Sequence, residues 1–429
     1  MSGTLAAGPD FAGPVGMLAT DSLTGPRAAS VRGARPMSPR RTIGVMGRML
    51  EQQDGLGLYA RQLLGELALR DARSRYLIFL DRAPTHGWFD ALANVKTHVL
   101  RSRSRLLWDQ VWVPRAARAF GCDLLFHPKF SLPLVSAIPA VFVLQSCDWY
   151  VNPGNYPWWD NIYIRVMLPL YCRKASAVLA ISQAVLEELR TRTGIEPAVT
   201  GITHAGVGPG FTPRADPVGL QRFAQDYRLP ARFILTVARA LHGGVNCRRE
   251  YPGGNNERLI RAYQDYRARA TDPLPLVVAG KRIEPYLRAR GLGDAELAGV
   301  RFLGFVPNER LVAAYQLATC FVLATACESF GLPILEALAT GCPAIVPNTC
   351  AAPEVAAGAA RLIDPSHPAD ITRALLEVTG SADLRERMRR AGFARARRFG
   401  WRRAAERVLA VFDQVLAGEA ERATAAVRR

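Results

Sequence analysis

The chain of 429 residues is 49% hydrophobic and 21% charged, which is typical of a soluble globular protein and long enough for two domains. Its 55 Lys and Arg residues against 37 Asp and Glu give a net charge of +18, which favours anionic partners: nucleotide diphosphates, acidic lipid surfaces or nucleic acid. The sequence lacks an uninterrupted apolar run of about 18 residues, so we predict no membrane-spanning helix.

Residues 1–40 are rich in Ala, Gly, Pro, Ser and Arg, with no apolar periodicity and no signal-peptide core. This composition predicts a disordered tail. A targeting segment is also compatible with this composition, because the stretch is basic and poor in acidic residues. A start codon assigned too early would explain it as well.

The first strand is predicted at 42–47, and a turn that contains Gly55 and Gly57 follows it. Behind the turn, apolar residues up to Leu67 repeat at helical spacing. Two glycines here are as typical of a plain strand-to-helix turn as of a backbone that approaches a ligand.

Strands and helices then alternate, which predicts a parallel sheet wrapped by helices. The predicted strands are 76–80, 124–126, 141–144 and 177–181, and the predicted helices are 107–120, 158–173 and one that begins after Ser182. Ligands on such sheets bind at the carboxyl ends of the strands, which draws attention to Gln145 and Asp148 after the strand at 141–144. The cap of a turn accounts for Asp148 equally well.

A linker rich in Gly and Pro at 206–217 indicates a domain boundary. Strands predicted at 233–238, 276–280 and 300–304 and a helix at 308–317 belong to the second domain. Between the first two of these strands, 241–256 is a polar, glycine-rich insertion. Its His242 and Cys247 lack further ligands for a zinc site.

The eight cysteines are scattered along the chain, and none forms a Cys-x-x-Cys pair. Most of them lie in apolar surroundings. We therefore predict buried thiols in a reducing compartment.

The stretch from Glu328 to Asp364 is predicted to be the binding site around which the chain is organised. A buried strand at 321–324 precedes it, and a helix at 332–339 stops at Gly341. The first amides of a helix have no partners within it and lie at the positive end of its dipole, so a phosphate or diphosphate fits there. The amides concerned are those of Ser329, Phe330, Gly331 and Leu332.

Glu328 and Glu336 are eight residues apart, the first just outside this helix and the second inside it. Carboxylates accept hydrogen bonds from hydroxyls and not from phosphates. A ligand with hydroxyls on both sides of a diphosphate, such as a nucleotide sugar, would satisfy both. The alternative is two solvated glutamates.

These residues resemble a known signature. Glu-Ser-Phe-Gly-Leu-Pro at 328–333, the second glutamate at 336, Pro-Glu-Val at 353–355 and Asp-Pro at 364–365 are similar to the donor site of the family 4 glycosyltransferases. The resemblance implies the GT-B fold, an α/β fold of two Rossmann-like domains with parallel sheets that face a central cleft. It also implies that Glu328 lies by the transferred sugar, that the amides at 329–332 hold the diphosphate, and that Glu336 binds the ribose.

The resemblance extends to other positions of the second domain. An arginine at the first strand end and a lysine shortly after it neutralise the leaving diphosphate in the family; Arg239 matches and the lysine does not. One of Arg248 and Arg249 in the insertion is a candidate replacement, unless the insertion is an acceptor lid. Lys281 and Val306 lie in patterns that resemble donor-domain loops, the second of which contacts the nucleobase.

In the first domain the resemblance implies that the turn with Gly55 and Gly57 approaches the substrate. The position of Gln145 usually carries a histidine near the transferred sugar, so a mechanism that needs a histidine acid or base there does not carry over. Gln145 and Asp148 are therefore predicted as substrate contacts.

Two or three helices close the chain, and the last is expected to pack back on the first domain. Ten arginines between Arg385 and Arg407 are explained by a solvated helix face or by an anionic membrane surface.

The resulting hypothesis is a retaining glycosyltransferase, a hexosyltransferase with mannose as one candidate sugar, that acts in bacterial polysaccharide or glycolipid assembly. Glu328 and Arg239 are the predicted catalytic residues. The donor is a nucleoside diphosphate sugar, the acceptor is a glycan or a lipid-linked glycan, and no cofactor, metal or nucleic acid is expected. The alternative is a non-catalytic sugar- or nucleic-acid-binding relic of the same fold.

The expected location is the cytoplasm, with the inner face of the plasma membrane as a peripheral site. The predicted division is a disordered tail (1–40), an acceptor domain (41–210), a nucleotide-sugar domain (211–390) and closing helices (391–429).

Overall fold

The computed structural model describes residues 41–52, 54–208, 210–213, 216–238 and 254–427. The predicted tail lies outside these residues, as do Arg239 and the insertion residues His242, Cys247, Arg248 and Arg249.

Within the described ranges the chain forms two parallel sheets, each interleaved with helices. The first sheet has seven strands in the order β3-β2-β1-β4-β5-β6-β7. Its strands are β1 (Arg41–Met46), β2 (Ser74–Leu80), β3 (Val95–Val99), β4 (Leu124–His127), β5 (Ala140–Leu144), β6 (Ala177–Ala180) and β7 (Thr200–Ile202).

The second sheet has six strands in the described residues, in the order β10-β9-β8-β11-β12-β13. They are β8 (Ile234–Val237), β9 (Leu276–Ala279), β10 (Val300–Gly304), β11 (Cys320–Val322), β12 (Ala344–Pro347) and β13 (Arg361–Ile363). In each sheet the strand order reverses once, between β1 and β4 and between β8 and β11, and such a reversal opens a crevice at the carboxyl ends of the strands.

Helices cover both sheets. They are α1 (Gly55–Arg70), α2 (Arg105–Leu107), α3 (Val113–Ala119), α4 (Asp148–Val151), α5 (Trp158–Lys174), α6 (Gln183–Thr193), α7 (Pro217–Asp226), α8 (Asn256–Arg269), α9 (Ile283–Ala289), α10 (Asn308–Leu317), α11 (Leu332–Thr340), α12 (Ala352–Ala356), α13 (Pro368–Gly380), α14 (Ala382–Ala396) and α15 (Trp401–Val427). A π-helical turn, Trp108–Trp112, joins α2 to α3.

The two parallel sheets wrapped by helices confirm the predicted α/β fold. Most of the apolar runs that predicted strands are buried, and every residue of β5 is below 3% exposed, whereas the residues of β10 are partly exposed. Ser182 caps α6 as expected, because its side chain accepts a hydrogen bond from the amide of Val185. The edge strand β3 was not predicted, since its sequence Val-Lys-Thr-His-Val is half exposed and lacks an apolar run.

The expectation of buried thiols is wrong for two of the eight cysteines. Cys327 and Cys350 form a disulfide, with their Cα atoms 5.4 Å apart. They are 23 residues apart in sequence, and the loops after β11 and β12 bring them together, which the spacing of the cysteines did not reveal. Five others are buried free thiols, namely Cys122, Cys147, Cys172, Cys320 and Cys342.

The last helix, α15, lies against α1 of the first sheet. Trp401 packs edge-on against Tyr59, with ring centroids 5.5 Å apart, and Phe412 packs in the same way against Phe126 at 5.1 Å. Near the end of these contacts Asp413 pairs with Arg41 of β1. The chain therefore returns to its first sheet after it has completed the second.

Most arginines of the cluster at 385–407 make contacts within the protein. Arg389 and Arg390 pair with Glu386, and Arg395 donates to the carbonyl of Val355 on α12. None of the helices in the described ranges combines the length with the hydrophobicity that a membrane-spanning segment needs.

Candidate active site

The carboxyl ends of β8, β9 and β10 meet at one edge of the second sheet. The amide of Ala238 donates to the Ala279 carbonyl and that of Gly280 to the Gly304 carbonyl, both at 2.8 Å. A Cβ on Gly280 would lie 2.2 Å from the carbonyl oxygen of Ala238, so only glycine fits this close approach. Lys281 is exposed directly after this contact.

One other predicted residue that the structure describes belongs to this edge. Val306, after β10, is 6% exposed. Arg239 follows Ala238 in the chain but lies outside the described residues, so its role stays a prediction.

The loop from β11 to α11 carries the predicted diphosphate site. Gly331 has φ +87° and precedes the first turn of α11, whose Ile334 and Leu335 amides donate to its carbonyl. Within the described residues, the amides of Phe330, Gly331 and Leu332 donate to no protein acceptor. Such amides at a helix start suit an oxyanion.

Glu328 is half-buried on this loop, and its carbonyl accepts from the amide of Ala351, at 3.0 Å, on the loop after β12. The disulfide joins the same two loops, because Cys327 directly precedes Glu328 and Cys350 directly precedes Ala351. Hydrogen bond and disulfide together fix the backbone at the predicted catalytic glutamate.

Glu336 lies on α11 and is only 7% exposed, which excludes the interpretation as a solvated side chain. Its Oε2 accepts a hydrogen bond, at 3.1 Å, from the hydroxyl of Tyr315 on α10. Burial raises the pKa of Glu336 to about 7, although the hydrogen bond from Tyr315 opposes the rise. The ionised form of a carboxyl group that burial disfavours is stabilised when a ligand donates hydrogen bonds to it.

Asn255 is a buried polar residue of this edge that the sequence analysis missed. It has φ +54° just before α8, and its Nδ2 donates to the carbonyls of Ala324 and Pro365, each at 2.7 Å. It thereby ties the end of β11 to the segment after β13. The signal in the sequence was the Asn-Asn pair at 255–256, because asparagine tolerates the left-handed region.

The two glycines of the β1–α1 turn have different surroundings. A Cβ on Gly57 would lie 1.9 Å from the carbonyl oxygen of Gln52, so Gly57 is required by the turn itself. A Cβ on Gly55 would meet only Leu332 Cδ1, at 3.4 Å. Gly55 therefore faces the start of α11 across the gap between the two sheets.

The other two predicted contacts of the first half, Gln145 and Asp148, both make hydrogen bonds within that half. Gln145 donates from Nε2 to the carbonyl of Pro128, at 3.2 Å, and so supports the loop after β4. Asp148 accepts from Asn152 Nδ2 at 2.6 Å and from the hydroxyl of Tyr156 at 2.8 Å. Both oxygens of Asp148 thus serve its own loop, which favours the alternative role as a cap.

Direct hydrogen bonds join the two halves beside this site. Ser182 Oγ donates to the carbonyl of Ser329 at 2.7 Å. The Glu354 carboxylate accepts from the amides of Gln183 and Ala184 at the start of α6, at 2.9 and 3.3 Å. Glu354 belongs to the Pro-Glu-Val motif, yet the sequence alone did not indicate that it contacts the first half.

One group of three possible metal ligands occurs in the part of the chain that the structure describes, namely Glu188, Cys327 and Cys350, with atoms within 4.8 Å of one another. The two cysteines are bonded to each other, so their sulfurs are not thiolates and the group is a poor metal site.

Comparison with known proteins identifies two matching family models. Residues 53–209 match the model described as Glycosyltransferase Family 4, and residues 251–395 match the one described as Glycosyl transferases group 1. The first range contains β2 to β7 and the second contains β9 to β13.

Among individual relatives, the O-antigen chain mannosyltransferase B of Escherichia coli is 31% identical over 81% of this chain and 92% of that protein. The serotype-specific mannosyltransferase WbdA of the same species is 31% identical over 59% of this chain; the match covers 31% of WbdA, under a third of its length. The crystal structure of Anabaena Alr3699/HepE in complex with UDP and glucose matches with a TM-score of 0.66 and 16% identity, over 87% of this chain and 100% of that one. At that identity the likeness shows the fold alone.

Proposed function

The chain belongs to family 4 of the glycosyltransferases, and from this membership we propose that it transfers a hexose from a nucleoside diphosphate sugar to a glycan or lipid-linked acceptor, with retention of anomeric configuration. The proposed setting is polysaccharide assembly, and mannose is the first donor sugar to test, because the relatives named above are mannosyltransferases. The observation that carries the proposal is the start of α11, where unpaired amides lie between Glu328 and the buried Glu336.

The proposed chemistry is stabilisation of separating charge. Negative charge grows on the diphosphate as the bond to the sugar breaks, and the amides of Phe330, Gly331 and Leu332 are already positioned to donate hydrogen bonds to it. Glu328 orients the sugar and stabilises its developing positive charge. Arg239 and Lys281 supply cationic charge at the neighbouring strand ends in this proposal, and no metal or cofactor takes part.

Glu336 is proposed to bind the ribose. Its buried carboxyl group gains hydroxyl donors when the nucleotide is bound, which compensates for the desolvation that raises its pKa. Tyr315, which donates to Oε2, holds the carboxyl group in position.

A calorimetric titration of the full chain with UDP, GDP and ADP, and then with their hexose conjugates, tests the donor site. We expect one nucleotide to bind in preference to the others, and Glu336→Ala to weaken that binding by about tenfold or more. Transfer to a purified acceptor glycan tests the reaction, and Glu328→Gln should abolish transfer without loss of nucleotide binding.

Glu309→Gln is the matched control, because Glu309 is exposed on α10. Nucleotide binding without donor hydrolysis or transfer in the wild-type protein would favour the non-catalytic relic, and absence of nucleotide binding would overturn the proposal.

We also propose peripheral contact with an anionic membrane, through the exposed face of α5. Trp158, Ile162, Val166 and Leu170 follow one another at intervals of four residues and are 39% to 70% exposed. Arg165 and Arg173 are exposed on the same helix, so the apolar face is accompanied by cationic charge.

Sedimentation with vesicles tests this contact. Binding to vesicles that contain phosphatidylglycerol, and its loss in Trp158→Ala/Ile162→Ala, would support the proposal. Val218→Ala is the control, because Val218 is 76% exposed at the start of α7 on the other half of the protein. Equal binding of all three proteins would overturn it.

A further inference from the structure

The first sheet has a polar cavity, separate from the donor site proposed above, at the point where its strand order reverses. It has a volume of about 110 Å³, which is space for several water molecules and hence for a group the size of phosphate. Its lining comes from the ends of β1, β2 and β4 and from the helical segment after Ser104, and consists of Arg48, Met49, Gln52, Asp81, Arg82, Arg105, Asp109, His127, Lys129 and Ser131. Ligands of open parallel sheets bind at such a reversal.

Positive charge exceeds negative charge in this cavity. Arg48, Arg82, Arg105 and Lys129 face two carboxyl groups, and one of these, Asp81, already pairs with both Arg48 and Arg82. The other carboxyl group is that of Asp109, which is 1% exposed, and burial raises its pKa. His127 adds no charge, because burial lowers its pKa to about 3.

Lys129 is the cation with the least compensation. In the described part of the chain its ammonium group has no carboxylate within ion-pair distance and no hydrogen-bond acceptor. It lies over the ring of Phe130, 5.6 Å from the centroid. Burial, and then the charge of Arg105, lower its pKa to about 8. A half-buried cation without an ion-pair partner is stabilised when an anionic ligand binds beside it.

Arg48 provides a second uncompensated donor. Its Nε donates to Asp81 at 3.2 Å, but its Nη1 is buried without a partner in the described residues. The guanidinium lies over the ring of Trp108, 5.5 Å from the centroid, which holds it in place. An unpaired guanidinium nitrogen beside an unpaired ammonium group is suited to an anion with several oxygens.

The cavity adjoins the gap that faces the donor site. Gln145 supports the loop that carries Lys129 through its hydrogen bond to the carbonyl of Pro128. Asp54, at the turn before Gly55, is close enough to influence the charge of Lys129, and Gly55 itself faces Leu332. A ligand in the cavity would therefore lie on the acceptor side of the site proposed above.

We propose that this cavity binds a phosphate group of the acceptor, with Lys129 and Arg48 as its donors. The inference rests on the proposed function for the identity of the ligand as an acceptor; the site itself is defined by its own residues. The chemistry is that of a phosphate monoester or diphosphate, whether it belongs to a soluble sugar phosphate or to a lipid headgroup.

The first test is calorimetric titration of the full chain with inorganic phosphate at constant ionic strength. We expect Lys129→Met to weaken binding by about tenfold or more, as for loss of one charged hydrogen bond. Lys96→Met is the matched control, because Lys96 is exposed on the edge strand β3, and it should bind as the wild type does.

Folding of the variant is checked in the same samples by thermal unfolding. Lys129→Met removes a half-buried charge that has no ion-pair partner, so it should melt at the same temperature as the wild type or higher. Equal phosphate affinity in wild type and Lys129→Met, or equal loss in Lys96→Met, would overturn the proposal. These outcomes are independent of nucleotide binding, whose failure would overturn the proposed function and leave the phosphate site in place.

Two probes distinguish the sources of the phosphate. Glycerol 3-phosphate represents the soluble source, and phosphatidylcholine vesicles with a minority of phosphatidic acid represent the lipid source. Lys129-dependent binding to either supports the site and identifies its source. If Lys129→Met and Lys96→Met bind both probes equally well, the proposal is wrong.

Discussion

Glu354 and His204 are 150 positions apart in the chain, yet His204 Nε2 and Glu354 Oε1 lie 2.7 Å apart. The same carboxylate accepts from the amides of Gln183 and Ala184, so a single side chain of the second half binds three donors of the first. The ring of His204 also packs against Phe330 and Phe399, with centroids 5.9 and 5.3 Å away. The contact therefore reaches the loop at the start of α11.

Glu354→Gln should lower the free energy of unfolding by about 1–2 kcal/mol at pH 7, because a charged acceptor of several hydrogen bonds is lost. Burial alone would raise the pKa of Glu354, but the hydrogen bonds from His204 and the two amides outweigh it and hold the pKa below 4.5. A carboxyl group whose pKa is lower in the folded than in the unfolded protein stabilises the fold at pH values above its unfolded pKa. This stabilisation is lost as the pH falls through its folded pKa.

Urea unfolding at several pH values measures this effect. The difference between wild type and Glu354→Gln should shrink as the solution is acidified below pH 4.5. Glu386→Gln, which removes a surface partner of Arg389 and Arg390 that is only partly buried, is the control and should change stability little. A difference that grows in acid would contradict the assignment.

Glu336→Gln should have the opposite effect on stability. The pKa of Glu336 is raised to about 7 by burial, so ionisation of the carboxyl group costs stability as pH rises from 4.5 to about 7. Glutamine cannot ionise, and at pH 8 the variant should exceed the wild type by up to about 3 kcal/mol in unfolding free energy. Nucleotide affinity should fall in the same variant, because one oxygen that accepts hydroxyl donors becomes an amide donor.

Denaturant unfolding at pH 5 and pH 8 checks the stability change, and calorimetry checks the affinity. Tyr315→Phe is the companion variant; it removes the hydrogen bond but leaves the carboxyl group buried. A variant Glu336→Gln that is no more stable than wild type at pH 8 would count against a strongly raised pKa.

Alanine at three glycines of α1 should give three different results. Gly57→Ala should cost about 1–3 kcal/mol, because its Cβ would lie 1.9 Å from the Gln52 carbonyl oxygen. Gly65→Ala should stabilise by about 0.5–1 kcal/mol, because nothing lies within 4 Å of its Cβ and alanine favours a helix. Gly55→Ala should fold normally and yet lower transfer, because the added methyl group narrows the gap to Leu332.

Thermal unfolding ranks the three variants, and a transfer assay separates Gly55→Ala from Gly65→Ala. If Gly55→Ala and Gly65→Ala transferred sugar equally well, the turn would have no part in substrate binding.

Removal of the disulfide in Cys327→Ala/Cys350→Ala should lower the free energy of unfolding by about 3 kcal/mol, because the bridge closes a loop across a separation of 23 residues. Reductant should destabilise the wild type by a similar amount and leave the double variant unaffected. Unfolding in the presence and absence of a phosphine reductant measures both effects. A double variant that still responds to reductant would indicate that other cysteines are involved.

Local sequence patterns predict the α/β architecture and the strand, loop and helix on either side of Glu328. Alternating apolar runs and helical periodicity are local signals, and the strand β10 and the helix α10 occur at the predicted residues 300–304 and 308–317. The spacing of Glu328 and Glu336 around Gly331 likewise depends only on neighbouring residues. Such features depend on residues within about one helix or strand, so they can be predicted without knowing how the rest of the chain packs.

Which distant residues come into contact depends on the tertiary structure. Cys327 reaches Cys350 only because β11 and β12 are neighbours, and Glu354 reaches His204 only because the second half lies against the first. The cavity around Lys129 depends on the strand order, which brings Arg48 after β1 beside the loop after β4. The pairing of strands and the contacts between the two halves depend on residues that are far apart in the sequence. The spacing of residues along the chain therefore does not predict them.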